Sequence, residues 1–481
     1  MSITIGIDFG TTRSAVVKYN LEKTVIEKAG VDPILSVAAV SKTSGICFYG
    51  ADADAKYADA NYEYIPSLKD LLSKDYDKYY GSSHLTTLSI LTGFFQYLKN
   101  KVGISEASTD IVMAIPNDFP AERRKIIREA AFSAGFSIKF FINEPVAAFF
   151  ANYSRIKEYD NSAILRNAEH IAIFDWGGGT LDITVMSNEG RVVKELAKNR
   201  MDCAGNAIDD RFARYVHQRI MESRGDNISF DDVLVTEQHL LRKEAEETKR
   251  QFNSSDPMNN RVITLLKYNG KPAFVRCSSQ EFNNSVEYIV DAAVKLLKDT
   301  ITESGLGIAG IDKILVVGGS AKLLLLQEKL QNEFGDKLLI SGGDSDWGVA
   351  IGAAALSARP GDFIVNQNIA LKLNDGSVFP LIKKGTKISD YQKIPLTFCF
   401  GKVDDSAKAV FAFTGSEDID KSGEKYLTIQ TMNIWDESIQ LDVSIDENLI
   451  VNVVGSCRGV PVGSRRWIYA NLSCCYALPE D

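Results

Sequence analysis

The stretch FDWGGGTLDITV, residues 174–185, places three consecutive glycines between two segments in which apolar residues alternate with other types. This alternation predicts two β-strands, and the glycines predict the turn that joins them. Glycine weakens packing inside a strand and loses more backbone entropy on folding than any other residue. It also lacks a Cβ atom, so the backbone N–H groups of successive glycines can surround an anion closely. The turn therefore predicts a phosphate-binding loop.

A second stretch, IGIDFGTTRSAVV at residues 5–17, repeats this plan. In both stretches a strand ends in aspartate, an aromatic residue and glycine, and a turn of glycine and threonine leads into a returning strand. Two such turns that face each other would hold a polyphosphate from both sides. The carboxylates of Asp8 and Asp175 stand at the ends of the first strands, where they could hold Mg²⁺ through its water ligands. Hydroxyl donors to phosphate oxygens are available from Thr11, Thr12 and Thr180.

Two further segments, EPVAAFFAN at 144–152 and WGVAIGAAALSA at 347–358, predict helices rich in small residues. Small side chains allow two helices to approach each other closely. Together with the paired turns, these helices predict a duplicated fold in which two similar halves enclose a central cleft.

Composition limits the classes of protein to which this chain could belong. It has 481 residues, 45% of them hydrophobic, so we expect two or three domains. A net charge of −9 gives no basic surface for nucleic acid or an anionic membrane. Met1 leads straight into the strand-like ITIGID, and no apolar run approaches the length of a membrane span. The seven cysteines form no CxxC pair, so we expect a cytoplasmic protein without a disulfide framework or zinc site.

The pattern of predicted elements changes near residue 360. Up to about residue 356, short β-branched runs alternate with longer helical patterns, which predicts an α/β fold. After Arg359-Pro360-Gly361, short alternating runs such as IALKL and YLTIQ predict an all-β region. The expected domains are 1–358, a linker at 359–369 and a β domain at 370–481.

Other phosphate-binding motifs do not account for the sequence. The motif G-x-x-x-x-G-K-[ST] does not occur. GLGIAG at 305–310 matches G-x-G-x-x-G, but it precedes a predicted strand, whereas a dinucleotide-binding turn follows one. We interpret it as a chance match in a loop after a helix that ends near Ser304.

Five segments in order along the chain resemble the signatures of the actin-like ATPase superfamily, and in detail those of the DnaK-type 70-kDa heat-shock chaperones. They are IGIDFGTTRSAVV, INEPVAAFFA, IFDWGGGTLDITV, ILVVGGSAKLLLLQ and DWGVAIGAAALSA. The resemblance extends to about residue 457 and is densest before 360. It implies a two-lobed α/β ATPase fold with duplicated, ribonuclease-H-like halves, followed by a small β-sandwich that binds extended peptides. It also implies ATP or ADP and Mg²⁺ as cofactors, with K⁺ as a further candidate.

The resemblance assigns roles on the phosphate side. The first phosphate loop would contain Gly10, Thr11 and Thr12, and the second Gly177, Gly178, Gly179 and Thr180. Asp8 and Asp175 resemble the carboxylates that orient hydrated magnesium. The segment IPSLKDLL at 65–72 makes Lys69 the candidate for a catalytic lysine that orients the attacking water and offsets charge on the γ-phosphoryl group. Glu144 resembles the glutamate that senses the γ-phosphate, and the implied catalytic set is Lys69, Asp8, Asp175, Thr180 and Glu144.

On the nucleoside side, RKEAEETKRQFNSS at 242–255 resembles the family's adenosine-binding helix. It implies that Glu246 and Lys249 contact the ribose and that Arg250 forms one wall of the adenine slot. The resemblance also places Gly318, Gly319 and Ser320 beside the base and Asp346 near the far side of the base. Gly205 matches a glycine in a turn before a helix. Two positions depart from the family, because Asn253 replaces a serine and Lys322 replaces a second stacking arginine. Since an ammonium stacks less well than a planar guanidinium, we expect weaker nucleotide binding than is typical.

The C-terminal region resembles the chaperone β-sandwich at VFPLIKKGTKI (378–388) and QLDVSIDENLIVNVVG (440–455). The segment GDFIVNQN at 361–368 stands in place of the family's acidic, leucine-rich linker. About 26 residues follow residue 455, which are too few for a helical lid, so we expect a lidless short form.

We therefore expect a slow ATPase with a chaperone-like function that couples its nucleotide state to the binding of extended polypeptide. The implied partner is an extended apolar peptide or a dedicated protein, and a J-domain co-chaperone and a nucleotide exchange factor are further candidates. The alternatives are a nucleotide-gated module for one dedicated partner, an actin-like filament-forming ATPase, and a sugar or acid kinase of the same superfamily. A kinase needs a base beside a second substrate pocket, and no carboxylate beyond those assigned above is a candidate for it.

Overall fold

The computed structural model describes residues 3–20, 22, 25–104, 109–117, 119–154, 162–340, 345–373, 375–401, 408–415, 426–432, 436–460 and 464–479. Its α-helices are α1 (Gly50–Asp54), α2 (Leu68–Leu71), α3 (Thr87–Lys101), α4 (Ala121–Ser133), α5 (Glu144–Tyr153), α6 (Ser162–Leu165), α7 (Gly205–Arg224), α8 (Val235–Phe252), α9 (Ser279–Glu303), α10 (Leu324–Phe334) and α11 (Gly348–Ala358). None of these described helices is long and apolar enough to cross a membrane.

The β-strands are β1 (Ile3–Phe9), β2 (Arg13–Asn20), β3 (Val25–Lys28), β4 (Ile34–Leu35), β5 (Ala38–Ser41), β6 (Cys47–Tyr49), β7 (Tyr62–Ile65), β8 (Asp77–Tyr80), β9 (Ser83–Thr86), β10 (Thr109–Ile115), β11 (Phe136–Asn143), β12 (His170–Trp176), β13 (Leu181–Glu189), β14 (Val192–Met201), β15 (Asn260–Tyr268), β16 (Lys271–Ser278), β17 (Lys313–Val317), β18 (Leu338–Ile340), β19 (Asp362–Val365), β20 (Ile369–Lys372), β21 (Val378–Ile382), β22 (Ile394–Gly401), β23 (Lys408–Thr414), β24 (Tyr426–Gln430), β25 (Asp436–Ile445), β26 (Val451–Cys457), β27 (Arg465–Tyr469) and β28 (Cys474–Ala477).

The chain divides into two units, each held together by dense internal contacts. The first consists of Met1–Asn117, Ile126–Asn188 and Glu195–Ala358. The second consists of Asp118–Lys125, Glu189–Lys194 and Arg359–Asp481. The first unit therefore carries both predicted phosphate loops, and the second carries the predicted all-β region.

Two sheets of the first unit are built on the same plan. One has the strand order β11-β10-β1-β2-β3, and the order of the other begins β18-β17-β12-β13-β14. β1 pairs antiparallel with β2 and parallel with β10, and β12 pairs in the same two ways with β13 and β17. Asp8 and Asp175 occupy equivalent places near the ends of β1 and β12. The duplication predicted from the two glycine stretches is thus present in the fold.

The two helices of small residues, α5 and α11, pack directly against each other. Almost every residue of both is buried. A Cβ atom added to Gly352 of α11 would collide with the carbonyl oxygen of Ala147 in α5, so the two backbones are in contact there. The close helix crossing predicted from composition is confirmed, and it follows from the absence of side-chain bulk.

Helix α9 shows how local sequence sets the boundaries of an element. The Ser278 side chain accepts a hydrogen bond from the backbone N–H of Glu281, and the Glu281 carboxylate accepts one from the backbone N–H of Ser278. This capping box satisfies two amide groups that the first helical turn leaves unpaired. Buried residues such as Phe282, Val286 and Ile289 recur at helical spacing and turn one face into the core. The helix that the sequence predicts to end near Ser304 therefore begins at Ser279, directly after this cap.

The second unit contains two four-stranded antiparallel sheets, β21-β20-β23-β24 and β22-β25-β26-β27. Side chains from both sheets form one apolar core. Within it, Phe413 of β23 stacks on Trp467 of β27 with ring centroids 3.8 Å apart. Two sheets that share a core in this way form a β-sandwich.

Part of the expected linker is a strand. Asp362–Val365 forms β19 and pairs antiparallel with β28. The backbone N–H of Gly361 donates to the Tyr476 hydroxyl at 2.9 Å. None of the residues that the structure describes after 455 is helical. The domain limits expected from the sequence stay a prediction.

Candidate active site

A cavity of about 720 Å³ lies in the first unit. Every site residue predicted from the sequence lines it: Asp8, Gly10, Thr11, Thr12, Lys69, Glu144, Asp175, Gly177, Gly178, Gly179, Thr180, Gly205, Glu246, Lys249, Arg250, Asn253, Gly318, Gly319, Ser320, Lys322 and Asp346. The fold therefore brings the predicted phosphate, metal and nucleoside residues to one place. The ligand that they hold, and the role of each residue, stay predictions.

The first glycine loop is fixed to the helix that carries Lys69. The carbonyl oxygen of Thr12 accepts a hydrogen bond from the backbone N–H of Ser36 at 2.9 Å. The carbonyl oxygen of Ser36 in turn accepts from the backbone N–H of Leu68, also at 2.9 Å. Leu68 begins α2, which is capped by Ser67 and places Lys69 in its first turn. Lys69 is therefore held beside the first loop by backbone contacts and not by its own side chain alone.

The second glycine loop is fixed to α7 and to the turn after β17. The backbone N–H of Asn206 donates to the carbonyl oxygen of Gly178 at 2.8 Å. The Ser320 hydroxyl donates to the carbonyl oxygen of Gly177, also at 2.8 Å. Gly205, the first residue of α7, donates its backbone N–H to the same oxygen at 3.2 Å. The second loop is thus attached to predicted nucleoside-side residues.

The two loops face each other at short range. A Cβ atom added to Gly178 would lie 2.9 Å from Oγ1 and 3.0 Å from Cβ of Thr12. A Cβ atom on Gly179 would lie 3.2 Å from Cγ2 of Thr11. Asn206 Nδ2 donates to Thr12 Oγ1 at 3.2 Å and so joins the support of one loop to the other. A side chain at Gly178 would therefore meet Thr12 first, a steric cause that adds to the obstruction of phosphate expected from the sequence.

A group of acidic side chains lies at the ends of the matching strands. Burial raises the pKa of Asp8 to about 7, the charge of Glu144 adds to this rise, and Lys69 opposes it. Burial also raises the pKa of Asp175 well above its ordinary value, and the charges of Glu144, Asp8 and Asp182 act in the same direction. Lys69 Nζ donates to Glu144 Oε1 at 2.8 Å, and both side chains are almost completely buried. The group carries more negative than positive charge, and a bound cation would relieve this imbalance.

These carboxylates fit magnesium held through water. Within the part of the chain that the structure describes, no group of three or more His, Cys, Asp or Glu side chains is placed to hold a metal ion directly. Mg²⁺ usually keeps several water ligands and takes one or two carboxylates together with substrate phosphates. Asp8 and Asp175 would provide the two carboxylates. Burial and neighbouring acids raise their pKa values against the opposing charge of Lys69, and a bound cation would favour their ionised forms.

Helix α8 brings the predicted nucleoside contacts to the cavity. Lys249 Nζ donates to Asp209 Oδ2 at 2.7 Å and to the carbonyl oxygen of Gly205 at 3.3 Å. Arg250 Nη1 donates to Asp32 Oδ2 at 3.1 Å. Both of these predicted contact residues are therefore oriented by acidic partners that the sequence analysis did not assign.

The two positions that depart from the family have defined contacts. Asn253 Oδ1 accepts from the backbone N–H of Leu324 at 2.8 Å, and its Nδ2 donates to the carbonyl oxygen of Lys249 at 2.7 Å. Asn253 thus joins the end of α8 to the start of α10. Lys322 Nζ donates to Asp346 Oδ2 at 2.6 Å, so the residue that replaces the second stacking arginine is paired with the acidic residue expected at the far side of the base.

The cavity is also lined by residues to which the sequence assigned no role, among them Arg13, Asp32, Asp182, Asn206 and Asp209. Asp182 accepts from the Thr180 hydroxyl at 2.7 Å and lies opposite Asp175 across the β12–β13 pair. Arg13 directly follows the first loop, and Asp209 follows Gly205 by one helical turn. Arg13 and Asp209 could therefore have been found from the sequence, because each lies close to a predicted site residue. The sequence shows no pattern that would find Asp32.

The family model described as Hsp70 protein matches residues 28–388 of the chain. The match covers more than half of the sequence and includes Lys69, Glu144, the second loop and α8. Members of this family are ATPases that act as ATP-dependent chaperones. Their two-lobed, actin-like ATPase fold accounts for the two matching sheets, and the all-β region after it is the β-sandwich of the second unit. The chain belongs to the Hsp70 family.

Proposed function

We propose that the first unit binds ATP and ADP with Mg²⁺ in the 720 Å³ cavity and hydrolyses ATP slowly, and that the nucleotide state controls binding of extended polypeptide by the second unit. The observation that carries the proposal is the pair of facing loops above Asp8 and Asp175. Each loop is a turn between two strands, and both loops line the cavity with glycine backbone that carries no Cβ atom and so is open to an anion.

Different residues of the cavity have different roles in the proposed reaction. Backbone N–H groups of the two loops and the hydroxyls of Thr11 and Thr12 bind the phosphate oxygens. Thr180, whose hydroxyl donates to Asp182 at 2.7 Å, would have to give up that contact to do the same. Bound Mg²⁺ would neutralise charge on the phosphates. Lys69 orients the attacking water and offsets the charge that develops on the γ-phosphoryl group. Glu144 holds the Lys69 ammonium at 2.8 Å, so it fixes the position from which the lysine acts.

Glu144 is also suited to report the state of the γ-phosphate. It is the first residue of α5, and α5 packs along its length against α11. A change in the Lys69–Glu144 ion pair on loss of the γ-phosphate would therefore act on a helix at the centre of the first unit. We propose this pair as the start of the signal that accompanies hydrolysis.

The second unit is proposed to bind an extended apolar peptide. Its two sheets end in the edge strands β21, β24, β22 and β27. Val378 of β21 and Tyr426 of β24 are 58% and 61% exposed, so apolar side chains are available on two of these edges. An extended peptide can pair with a strand edge through its backbone and place side chains against such residues. J-domain and exchange-factor partners, which are typical of the family, are proposed on the family resemblance alone.

Phosphate release from ATP tests the proposal, measured without an acceptor and with a panel of extended apolar peptides. Slow release without an acceptor, stimulated by some peptides, is the expected result. Release that needs a sugar or acid acceptor would show a kinase. Release that no peptide changes would favour a dedicated partner for the second unit, and light scattering that rises with protein concentration in ATP would show a filament.

A further inference from the structure

Arg13 connects the first glycine loop to the helix that carries the predicted ribose contacts. It is the first residue of β2, directly after Thr12. Its Nη2 donates to Glu246 Oε1 of α8 at 3.0 Å, and its Nη1 donates to the carbonyl oxygen of Pro33 at 3.2 Å. The guanidinium is therefore held at two points, and its side chain is only 27% exposed. A planar group held in this way has little freedom to turn.

The two carboxylate oxygens of Glu246 have different contacts. Oε1 receives Arg13 Nη2 and also lies 3.3 Å from Arg250 Nη2. Within the described residues, no hydrogen bond of the protein reaches Oε2. Burial alone would raise the pKa of Glu246, but Arg13, Lys249 and Arg250 outweigh this effect and hold the pKa below its ordinary value. Glu246 is thus ionised at neutral pH, with one oxygen occupied and one available as an acceptor.

We propose that Arg13 is a positioning residue for ribose recognition. By holding Oε1, it fixes the rotamer of Glu246 so that Oε2 can accept a hydrogen bond from a ribose hydroxyl. The site would then discriminate between ribonucleotides and their deoxy analogues. This inference rests on the proposed nucleotide site and adds a determinant of specificity to it.

Arg13 also contributes charge, and this second effect has to be separated from positioning. The described lining of the cavity carries eight acidic side chains and five basic ones, of which Arg13 is one. Its removal is expected to weaken binding of every anionic nucleotide by a common factor. Discrimination between ADP and deoxy-ADP cancels that factor, because the two ligands carry the same charge. The ratio of their dissociation constants therefore reports on positioning alone.

Calorimetric titration of the full chain with ADP, 2′-deoxy-ADP and 3′-deoxy-ADP, each with Mg²⁺, tests the inference. A hydrogen bond to a charged group predicts that the wild type binds ADP about 10- to 100-fold more tightly than the deoxy analogue that lacks the contacted hydroxyl. Glu246→Ala should abolish this discrimination. Arg13→Ala should reduce it by roughly threefold or more, because an unheld carboxylate samples several rotamers. Combining the two substitutions should give the discrimination of Glu246→Ala alone.

Two controls separate positioning from a loss of folding. Arg13→Lys keeps the positive charge but loses the guanidinium contacts to both Glu246 and Pro33. Affinity for ADP should therefore recover more than the discrimination between ADP and its deoxy analogue. Arg276→Ala removes an exposed arginine on β16, outside the cavity. It should change neither the affinity for ADP nor the discrimination against deoxy-ADP. The inference would be overturned if Arg13→Ala discriminated between ADP and deoxy-ADP as the wild type does, or if the wild type did not discriminate at all. Neither result would contradict the proposed nucleotide site. Absence of any ADP binding to the wild type would overturn the proposed function as well.

Discussion

The two glycine loops have the same plan but different supports. The first loop is joined through Ser36 to Leu68 and hence to Lys69, the predicted catalytic residue. The second is joined through Gly205, Asn206 and Ser320 to the parts of the chain that line the nucleoside side. The two turns are thus similar, and in the proposed function their different neighbours place one beside the γ-phosphate chemistry and the other beside the nucleoside. Changes near each loop should therefore differ in whether they affect turnover or binding.

The largest effect is expected from a side chain placed between the loops. Gly178→Val should weaken ATP binding by on the order of 100-fold, because its Cβ atom would lie 2.9 Å from Thr12 Oγ1 and force the loops apart. Calorimetric titration with ATP and Mg²⁺ measures the change. Gly348→Ala is the control, since Gly348 does not line the cavity and its Cβ atom would meet nothing within 4 Å beyond its own helix. Equal affinity in Gly178→Val and the wild type would remove the facing-loop account.

Removal of the Lys69 ammonium should affect turnover and not binding. Lys69→Ala is expected to reduce the single-turnover rate of ATP hydrolysis by about 10²- to 10³-fold, the usual cost of losing one charge-stabilising group. ATP affinity should change much less, because the lysine acts mainly on charge that develops in the transition state. A large loss of affinity with an unchanged rate would show that Lys69 is a binding residue.

The pH dependence of stability should distinguish two neighbouring acids on α7, the helix that supports the second loop. Burial raises the pKa of Asp209 to about 6, against the opposing effect of Lys249. The folded state then binds this proton more tightly than the unfolded state, so its contribution to stability falls as pH rises from about 4 to about 6. Asp209→Asn should remove this fall in the nucleotide-free protein, as measured by urea unfolding at several pH values.

The contribution of Asp210 to stability should change with pH in the opposite direction. Burial alone would raise its pKa, but hydrogen bonds from Arg214 and Arg242 hold it below the ordinary value. Its contribution to stability is therefore present above about pH 4 and is lost as pH falls further. Asp210→Asn should flatten the acidic end of the profile only. The same profile for both variants would contradict the assignment of either carboxyl.

The smallest effect is expected at the far side of the adenine. Lys322→Arg can keep the contact with Asp346 and adds a planar surface for stacking. Cation–π and stacking contacts of this kind are worth roughly 0.5–2 kcal/mol, which corresponds to a gain in ATP affinity of about 2- to 30-fold. Calorimetric titration of ATP measures it, with GTP as a control for the base. Weaker binding of ATP would show that the base lies elsewhere.

The regular elements and the two loops could be predicted because each has a local signal. Alternating runs, small-residue helices and the repeated Asp-aromatic-Gly turn are visible in short windows of sequence. β5, β6 and β7 were not named from the sequence, and their three or four residues leave little length in which alternation can appear. β19 was expected as linker, since its pairing with β28 is a contact between residues more than 100 positions apart.

Charge pairs in the cavity show where prediction from the sequence ended. Lys249 was found through its helix, but its partner Asp209 lies 40 residues earlier. Arg13 and Glu246 are 233 residues apart, and neither shows in the sequence which opposite charge it meets. Composition gives the number of charges, whereas tertiary packing decides which of them become partners.

Hydrogen exchange of the backbone amides, with and without ATP and Mg²⁺, tests the central claim most directly. The claim is that one nucleotide lies between the two loops and is held by the backbone N–H groups of both. The account predicts that ATP slows exchange in 10–12 and in 177–180 together, with the same dependence on ATP concentration. In Gly178→Val, about 100-fold more ATP should be needed to protect either segment. Protection of only one segment, or of neither while ATP binds, would contradict it.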